Sequence, residues 1–131
     1  MLTEKNPPAD SGGDIFTVVY VDDDDLVRQT IADSLCAAGL EVRACRDGLE
    51  ALDACEAKRP DAVLLDLNMP GLDGFEVAVR LRANPMLKGL RIVALTGRST
   101  WDAKMKAMTA GCDEFLSKPT TQAELVRALR A

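Results

Sequence analysis

Four short apolar runs in this chain each stop at a residue able to handle a phosphoryl group or a divalent cation. Residues 18–21 run into Asp22 and Asp23, and residues 62–65 run into Asp66. Residues 92–95 stop at Thr96 and Gly97, and residues 115–117 stop at Lys118 and Pro119. If these runs are parallel strands of one open sheet, their ends converge on one rim, where such sheets bind ligands. Carboxylates from two strands, a hydroxyl from a third and an ammonium from a fourth then share a crevice. That set suits Mg²⁺-assisted transfer of a phosphoryl group to a carboxylate.

Mg²⁺ is a hard cation that takes oxygen ligands in near-octahedral geometry and keeps several waters. Asp23 and Asp66 are the expected direct ligands, with the Asn68 carbonyl as a third protein oxygen and Asp22 acting through water. Mn²⁺ fits the same donors. Without a cation the three carboxylates repel one another, and at least one resists ionisation; a bound dication reverses that logic. Asp24 and Asp25 read more simply as the acidic cap of a following helix. Asp66 alone would pass for a turn residue ahead of Asn68-Met69-Pro70-Gly71. In the company of Asp23, Thr96 and Lys118 it reads as a nucleophile that forms an aspartyl phosphate. Lys118 suits a phosphoryl group as a point charge, and Pro119 ends its strand. The blander readings are a solvated charge for Lys118 and an ordinary strand residue for Thr96.

Five strand-like runs, at 16–21, 41–45, 61–65, 91–95 and 113–117, alternate with five helix-like periodic segments. The strands lack polar alternation, as expected when helices cover both faces of a sheet. Val27, Ile31, Leu35 and Ala38 define one face of the first helix, with Gly39 at its end. Asp47 and Glu50 open the second, and Phe75, Ala78, Val79 and Arg82 set the third, which stops before Asn84-Pro85. Trp101, Met105 and Met108 set the fourth, with Gly111 as its stop. Thr121 and Glu124 form a capping box for the fifth. The expectation is an α/β (βα)₅ domain of three layers over residues 15–131, preceded by a disordered leader or linker at 1–14.

A chain of 131 residues fits one such domain. Its net charge of −5 and scattered basic residues argue against a nucleic-acid surface. The four cysteines lack C-x-x-C spacing and the chain has no histidine, so zinc is not expected. Reduced thiols point to a cytoplasmic address. No run is apolar and long enough for membrane insertion, and residues 1–14 carry no secretory signal.

The motifs Val21-Asp22-Asp23, Leu64-Leu65-Asp66-Leu67-Asn68-Met69-Pro70-Gly71-Leu72-Asp73-Gly74, Leu95-Thr96, Ala110-Gly111 and Phe115-Leu116-Ser117-Lys118-Pro119 occur in that order. Together they resemble the receiver (response-regulator) domain of bacterial two-component signalling over about residues 16–130. The resemblance implies a flavodoxin-like sheet of order 2-1-3-4-5. It implies that Asp66 takes a phosphoryl group, with Mg²⁺, from a phosphohistidine on a sensor histidine kinase or histidine phosphotransfer protein. It also implies a switch through Thr96 and Phe115 that alters the surface of the fourth helix, fifth strand and fifth helix, where a downstream target docks. Such a domain is not a dedicated enzyme, although it catalyses its own phosphorylation and slow dephosphorylation. Gly97 and Thr120 depart from the commonest pattern, where Ala and Phe are frequent. Asn68 and Arg98 occupy positions that tune phosphoryl lifetime in such domains. The chain is expected to be either a free-standing regulator or a receiver belonging to a larger protein such as a hybrid kinase.

Two rivals use similar residues. A haloacid-dehalogenase-like phosphatase also has an Asp nucleophile, Mg²⁺, a hydroxyl and a Lys. It places the nucleophile on the first strand, however, which leaves Asp66 without a task. A flavodoxin-like FMN carrier would need free N–H groups where this chain has four consecutive carboxylates.

Overall fold

The protein is described by a computed structural model covering residues 15–131. The leader expected at 1–14 lies outside the described residues. The order is β1 (Thr17–Val21), α1 (Asp25–Ala37), β2 (Glu41–Cys45), α2 (Gly48–Ala57), β3 (Ala62–Asp66), α3 (Gly74–Ala83), a 3₁₀ turn (Pro85–Leu87), β4 (Arg91–Thr96), α4 (Trp101–Ala110), β5 (Glu114–Ser117) and α5 (Gln122–Arg130). The five strands pair in parallel in the order β2-β1-β3-β4-β5. This is the flavodoxin-like 2-1-3-4-5 arrangement expected from the sequence, with strand limits shifted by at most one residue.

Successive strand residues point to opposite faces, and the core divides accordingly. Val19, Val21, Val63 and Leu65 pack beneath α2, α3 and α4 against Ala51, Cys55, Val77, Leu81 and Ala107. Val18, Tyr20, Leu64 and Leu95 pack beneath α1 and α5 against Leu35, Leu125 and Leu129. Central strands β1, β3 and β4 are therefore apolar on both faces, whereas edge strands β2 and β5 are only partly buried. Burial raises the thiols of Cys45, Cys55 and Cys112 to about 11, so each behaves as a small hydrophobe.

Register alone sets the rim. Val21 lies opposite Leu65, so Asp22 and Asp66 leave the sheet side by side. Asp66 pairs with Leu95 and Thr96 with Ser117, which brings Thr96 and Lys118 to the same edge.

Helix existence and ends follow the sequence more closely than helix faces do. Thr121 and Glu124 form the full capping box of α5, and Gly111 ends α4 in the left-handed region at φ 110°. At α2, Asp47 accepts from the Glu50 N–H, but the Glu50 carboxylate turns to the Arg46 N–H instead of closing a box. The face of α3 differs from the expected one: Gly74, Val77, Ala78 and Leu81 are buried, while Val79 is exposed. The α4 triad Trp101, Met105 and Met108 has helical spacing yet faces solvent. In that helix the buried residue is Ala107, a small side chain that lets α4 sit close to the sheet.

Gly74 opens α3 directly behind the loop that follows Asp66. A Cβ there would lie 2.4 Å from the Asp66 carbonyl oxygen and 2.7 Å from the Leu67 Cα. These are backbone atoms that cannot swing aside. Gly74→Ala is expected to cost about 1–3 kcal/mol in denaturant unfolding, as overpacked sites do; unchanged stability would mean that α3 does not need this close approach.

Candidate functional site

The rim forms a cleft of about 390 Å³ lined by Asp22, Asp23, Asp24, Asp66, Asn68, Gly97, Arg98 and Lys118. A larger groove of about 530 Å³ runs between α3 and α4 past Leu72, Phe75, Val79 and Lys106. None of the strand-end residues Asp22, Asp66, Thr96 or Lys118 lines that groove.

Asp22 is fully buried and its lone pairs are heavily used. Its Oδ1 accepts from the Asp24 N–H at 3.0 Å. Its Oδ2 accepts from the Tyr20 hydroxyl at 2.9 Å and from Lys118 Nζ at 3.0 Å. Arg28 donates to the Asp22 main-chain carbonyl at 2.9 Å, tying α1 to the strand end. Asp24 is the α1 N-cap, accepting from the Val27 N–H at 3.0 Å, and Asp25 pairs with Arg28 in the first turn. The capping reading of these two residues describes their contacts well. Asp23, between the anchored Asp22 and the capping Asp24, is left exposed at the rim.

Asp66 is 3% exposed. Its Oδ1 accepts from the Asn68 N–H at 3.1 Å, and its Oδ2 lies 3.8 Å from Lys118 Nζ. Burial raises its carboxyl to about 6; the Asn68 N–H opposes the rise and the neighbouring Asp22 charge adds to it. One carboxylate oxygen from each of Asp22, Asp23 and Asp66 lies within 4.8 Å of the others. The donors are all hard oxygens and their negative charge exceeds what Lys118 balances. The residues therefore fit a small divalent cation.

Thr96, 1% exposed, ends β4. Its Oγ1 accepts from the Arg98 N–H at 3.0 Å and donates to Asn68 Oδ1 at 2.6 Å. Phe115 lies beside Ala94 in register, half-buried against the core on the α4 side. Lys118 follows β5 through a main-chain N–H bond to the Thr96 carbonyl at 2.7 Å. Every residue singled out from sequence except Phe115 thus reaches the rim itself.

Tyr20 belongs to this site and is not recognisable as such from residue type, because a tyrosine in an apolar strand reads as core. The signal is its spacing: residues i and i+2 of a strand share a face, which puts the Tyr20 ring below Asp22. Burial, followed by the Asp22 charge and hydrogen bond, pushes the Tyr20 phenol far up, so it stays a neutral donor.

The sequence pattern of the response regulator receiver domain matches residues 18–130. The chain belongs to that family. It is 41% identical over 114 residues to response regulator MprA of Mycobacterium sp. (strain KMS), covering 87% of this chain and 49% of that protein. The chain thus spans about half the length of the curated relatives it matches. Among solved structures, the chemotaxis protein CheY4 of Vibrio cholerae superposes with a TM-score of 0.84 at 32% identity, covering 89% of this chain and 98% of the other. A putative response regulator from Chloroflexus aurantiacus J-10-fl gives 0.84 at 36% identity, covering 90% and 100%. The receiver is a phosphoacceptor signalling domain of two-component systems. The phosphatase alternative also fails on geometry: its nucleophile would be Asp22, which is buried with both oxygens already accepting hydrogen bonds.

The raised Asp66 carboxyl has a definite consequence for metal-free protein. A carboxyl whose folded pKa is about 6, against an unfolded value near 3.8, adds stability that is complete below the lower value. That contribution disappears as pH rises through about 6. The shifts of Glu114 and Glu124 are downward, so their linkage falls below this window, and the chain has no histidine to titrate within it. In EDTA, unfolding free energy is expected to drop by about 1 kcal/mol from pH 5 to pH 7. Asp66→Asn should flatten that slope; a slope that survives the substitution would refute the assignment.

Proposed function

We propose that Asp66 is the phosphoacceptor of this receiver and that the remaining rim groups serve its phosphorylation. The carrying observation is that, of the two carboxylates within 4 Å of Lys118, Asp66 is the one that keeps an oxygen accepting no hydrogen bond and facing the cleft. Asp66 Oδ2 attacks the phosphorus of a phosphohistidine, the P–N bond breaks, and the donor imidazole leaves with the electron pair and is reprotonated by solvent. Asp23, Asp66 and the Asn68 carbonyl would hold Mg²⁺ (or Mn²⁺), with Asp22 acting through water. Bound there, the cation offsets negative charge on the attacking carboxylate and on the phosphoryl oxygens. Lys118 neutralises part of the same charge, and the Thr96 hydroxyl donates to a phosphoryl oxygen once the group is in place.

The donor proposed from the family is a sensor histidine kinase or a histidine phosphotransfer protein; residues 1–131 contain no histidine and so do not supply the phosphohistidine themselves. Beside the cleft lie Val27, Ile31 and Pro119, with Leu26 77% exposed nearby, an apolar shelf on which a protein donor can seat. Output runs through Thr96 and Phe115 to the surface of α4, β5 and α5, where Trp101 is 73% exposed. The phosphoryl group drives that change only if it binds the shifted arrangement better than the resting one. The domain acts as a signalling module, not a dedicated enzyme, and contacts a protein target, not nucleic acid. No helix among the described residues is long and apolar enough to cross a membrane.

Incubation with acetyl phosphate and Mg²⁺ should add one phosphoryl group per chain, released by hydroxylamine and seen by intact-protein mass spectrometry. Asp66→Asn should abolish the addition. Mapping of the modification to any other residue would overturn the proposal.

A further inference from the structure

We propose that the Asn68 side chain is a positioning residue that holds the Thr96 hydroxyl away from the phosphoryl site. Phosphorylation then has to win the Thr96 proton from an amide oxygen. The inference rests on Asp66 being the phosphoacceptor and adds a built-in restraint to that site.

A threonine hydroxyl has one proton and two lone pairs. In the resting protein one lone pair accepts the Arg98 N–H at 3.0 Å, and the proton goes to Asn68 Oδ1 at 2.6 Å. The Arg98 carbonyl, at 3.5 Å, is too distant to compete for it. Reversing the Asn68 amide would aim an NH₂ at a hydroxyl that already accepts a hydrogen bond, leaving the hydroxyl proton only that distant carbonyl. The oxygen-inward orientation is therefore the satisfied one. Since a single proton cannot serve two acceptors, Thr96 cannot donate to a phosphoryl oxygen while it donates to Asn68.

Burial sharpens the exchange. Thr96 is 1% exposed, so its hydroxyl cannot turn to water when it gives up its partner. The swap must be one acceptor for another. Asn68 is exposed and loses little on release, because water can replace Thr96 as its donor. The same residue also donates its main-chain N–H to Asp66 Oδ1 at 3.1 Å. Asn68 thus touches the acceptor carboxylate through its backbone and the switch hydroxyl through its side chain. Gly97 follows Thr96, and a Cβ there would meet nothing within 4 Å, so the space beside its Cα is open.

The test measures Mg²⁺-dependent beryllofluoride affinity and amide chemical shifts for the parent, Asn68→Ala, Thr96→Ala and the double variant. Releasing the hydroxyl should tighten beryllofluoride binding about fivefold in Asn68→Ala, the worth of one ordinary hydrogen bond. In ligand-free Asn68→Ala, the Thr96, Gly97 and Phe115 amides should move along the line joining the free and beryllofluoride-saturated parent. In the Thr96→Ala background, Asn68→Ala should change affinity by less than about twofold, since the coupled partner is gone. A direct contact between Asn68 and the ligand would instead give the same ratio in both backgrounds, which overturns the proposal, as would weaker binding or unmoved amides in Asn68→Ala. A parent that fails to bind beryllofluoride would sink the phosphoacceptor assignment itself. A parent that binds normally while Asn68→Ala behaves identically would sink only the restraint.

Discussion

The crowding of three carboxylates at the ends of two adjacent strands is the constraint on which the site depends. Asp22, Asp23 and Asp66 each place an oxygen within 4.8 Å of the others, and among the described residues Lys118 is the one cation paired with them. Burial raises the Asp66 carboxyl and the neighbouring Asp22 and Asp23 charges add to that rise, so the fold holds together groups that would separate if free to do so. The parallel register of β1 and β3 is fixed by buried residues on both faces, and slipping it would turn those residues to the wrong side. The sheet, not the site, sustains the repulsion.

Hydrogen bonding then divides the carboxylates by role. Asp22 is anchored by Tyr20, Lys118 and the Asp24 N–H. Asp23 is exposed, and Asp66 keeps an oxygen whose only nearby partner is Lys118 at 3.8 Å. A proton or a cation relieves this excess of negative charge, whereas a phosphoryl group adds to it and so needs the cation and Lys118 beside it. At the neighbouring strand end, Thr96 holds its proton on Asn68 until a better acceptor arrives. The adjoining α4 buries only Ala107, whereas α3 buries Gly74, Val77, Ala78 and Leu81. An element with so little buried surface is the one that can shift at least cost, and its solvent face carries Trp101, Met105 and Met108.

Most of the site was legible because chemistry-bearing residues at strand ends need only the strand order to be brought together. Asp22, Asp66, Thr96 and Lys118 reach one rim by register, and the caps at Asp24, Gly111 and Thr121 read directly from residue type. Other features depend on packing that local sequence does not encode. The Trp101-Met105-Met108 repeat marks the helix by its spacing, but alanines form the contact face of α4, so periodicity found the helix without showing its inside. In α3 the true stripe at Val77, Ala78 and Leu81 overlaps the expected one by a single residue. Tyr20 was hidden by its apolar surroundings, and the Asn68 to Thr96 bond joins residues 28 positions apart. Such a pairing becomes visible only when β3 and β4 are placed side by side.

The central claim is that the fold holds these carboxylates together at a cost which a cation relieves. The most direct test is the unfolding free energy of the parent and of Asp23→Asn at pH 7, each in EDTA and in millimolar Mg²⁺. The parent should be stabilised by Mg²⁺ through mass action. Asp23→Asn should be more stable than the parent in EDTA and should gain much less from Mg²⁺. An Asp23→Asn protein less stable than the parent in EDTA, or one that gains as much from Mg²⁺, would contradict the account.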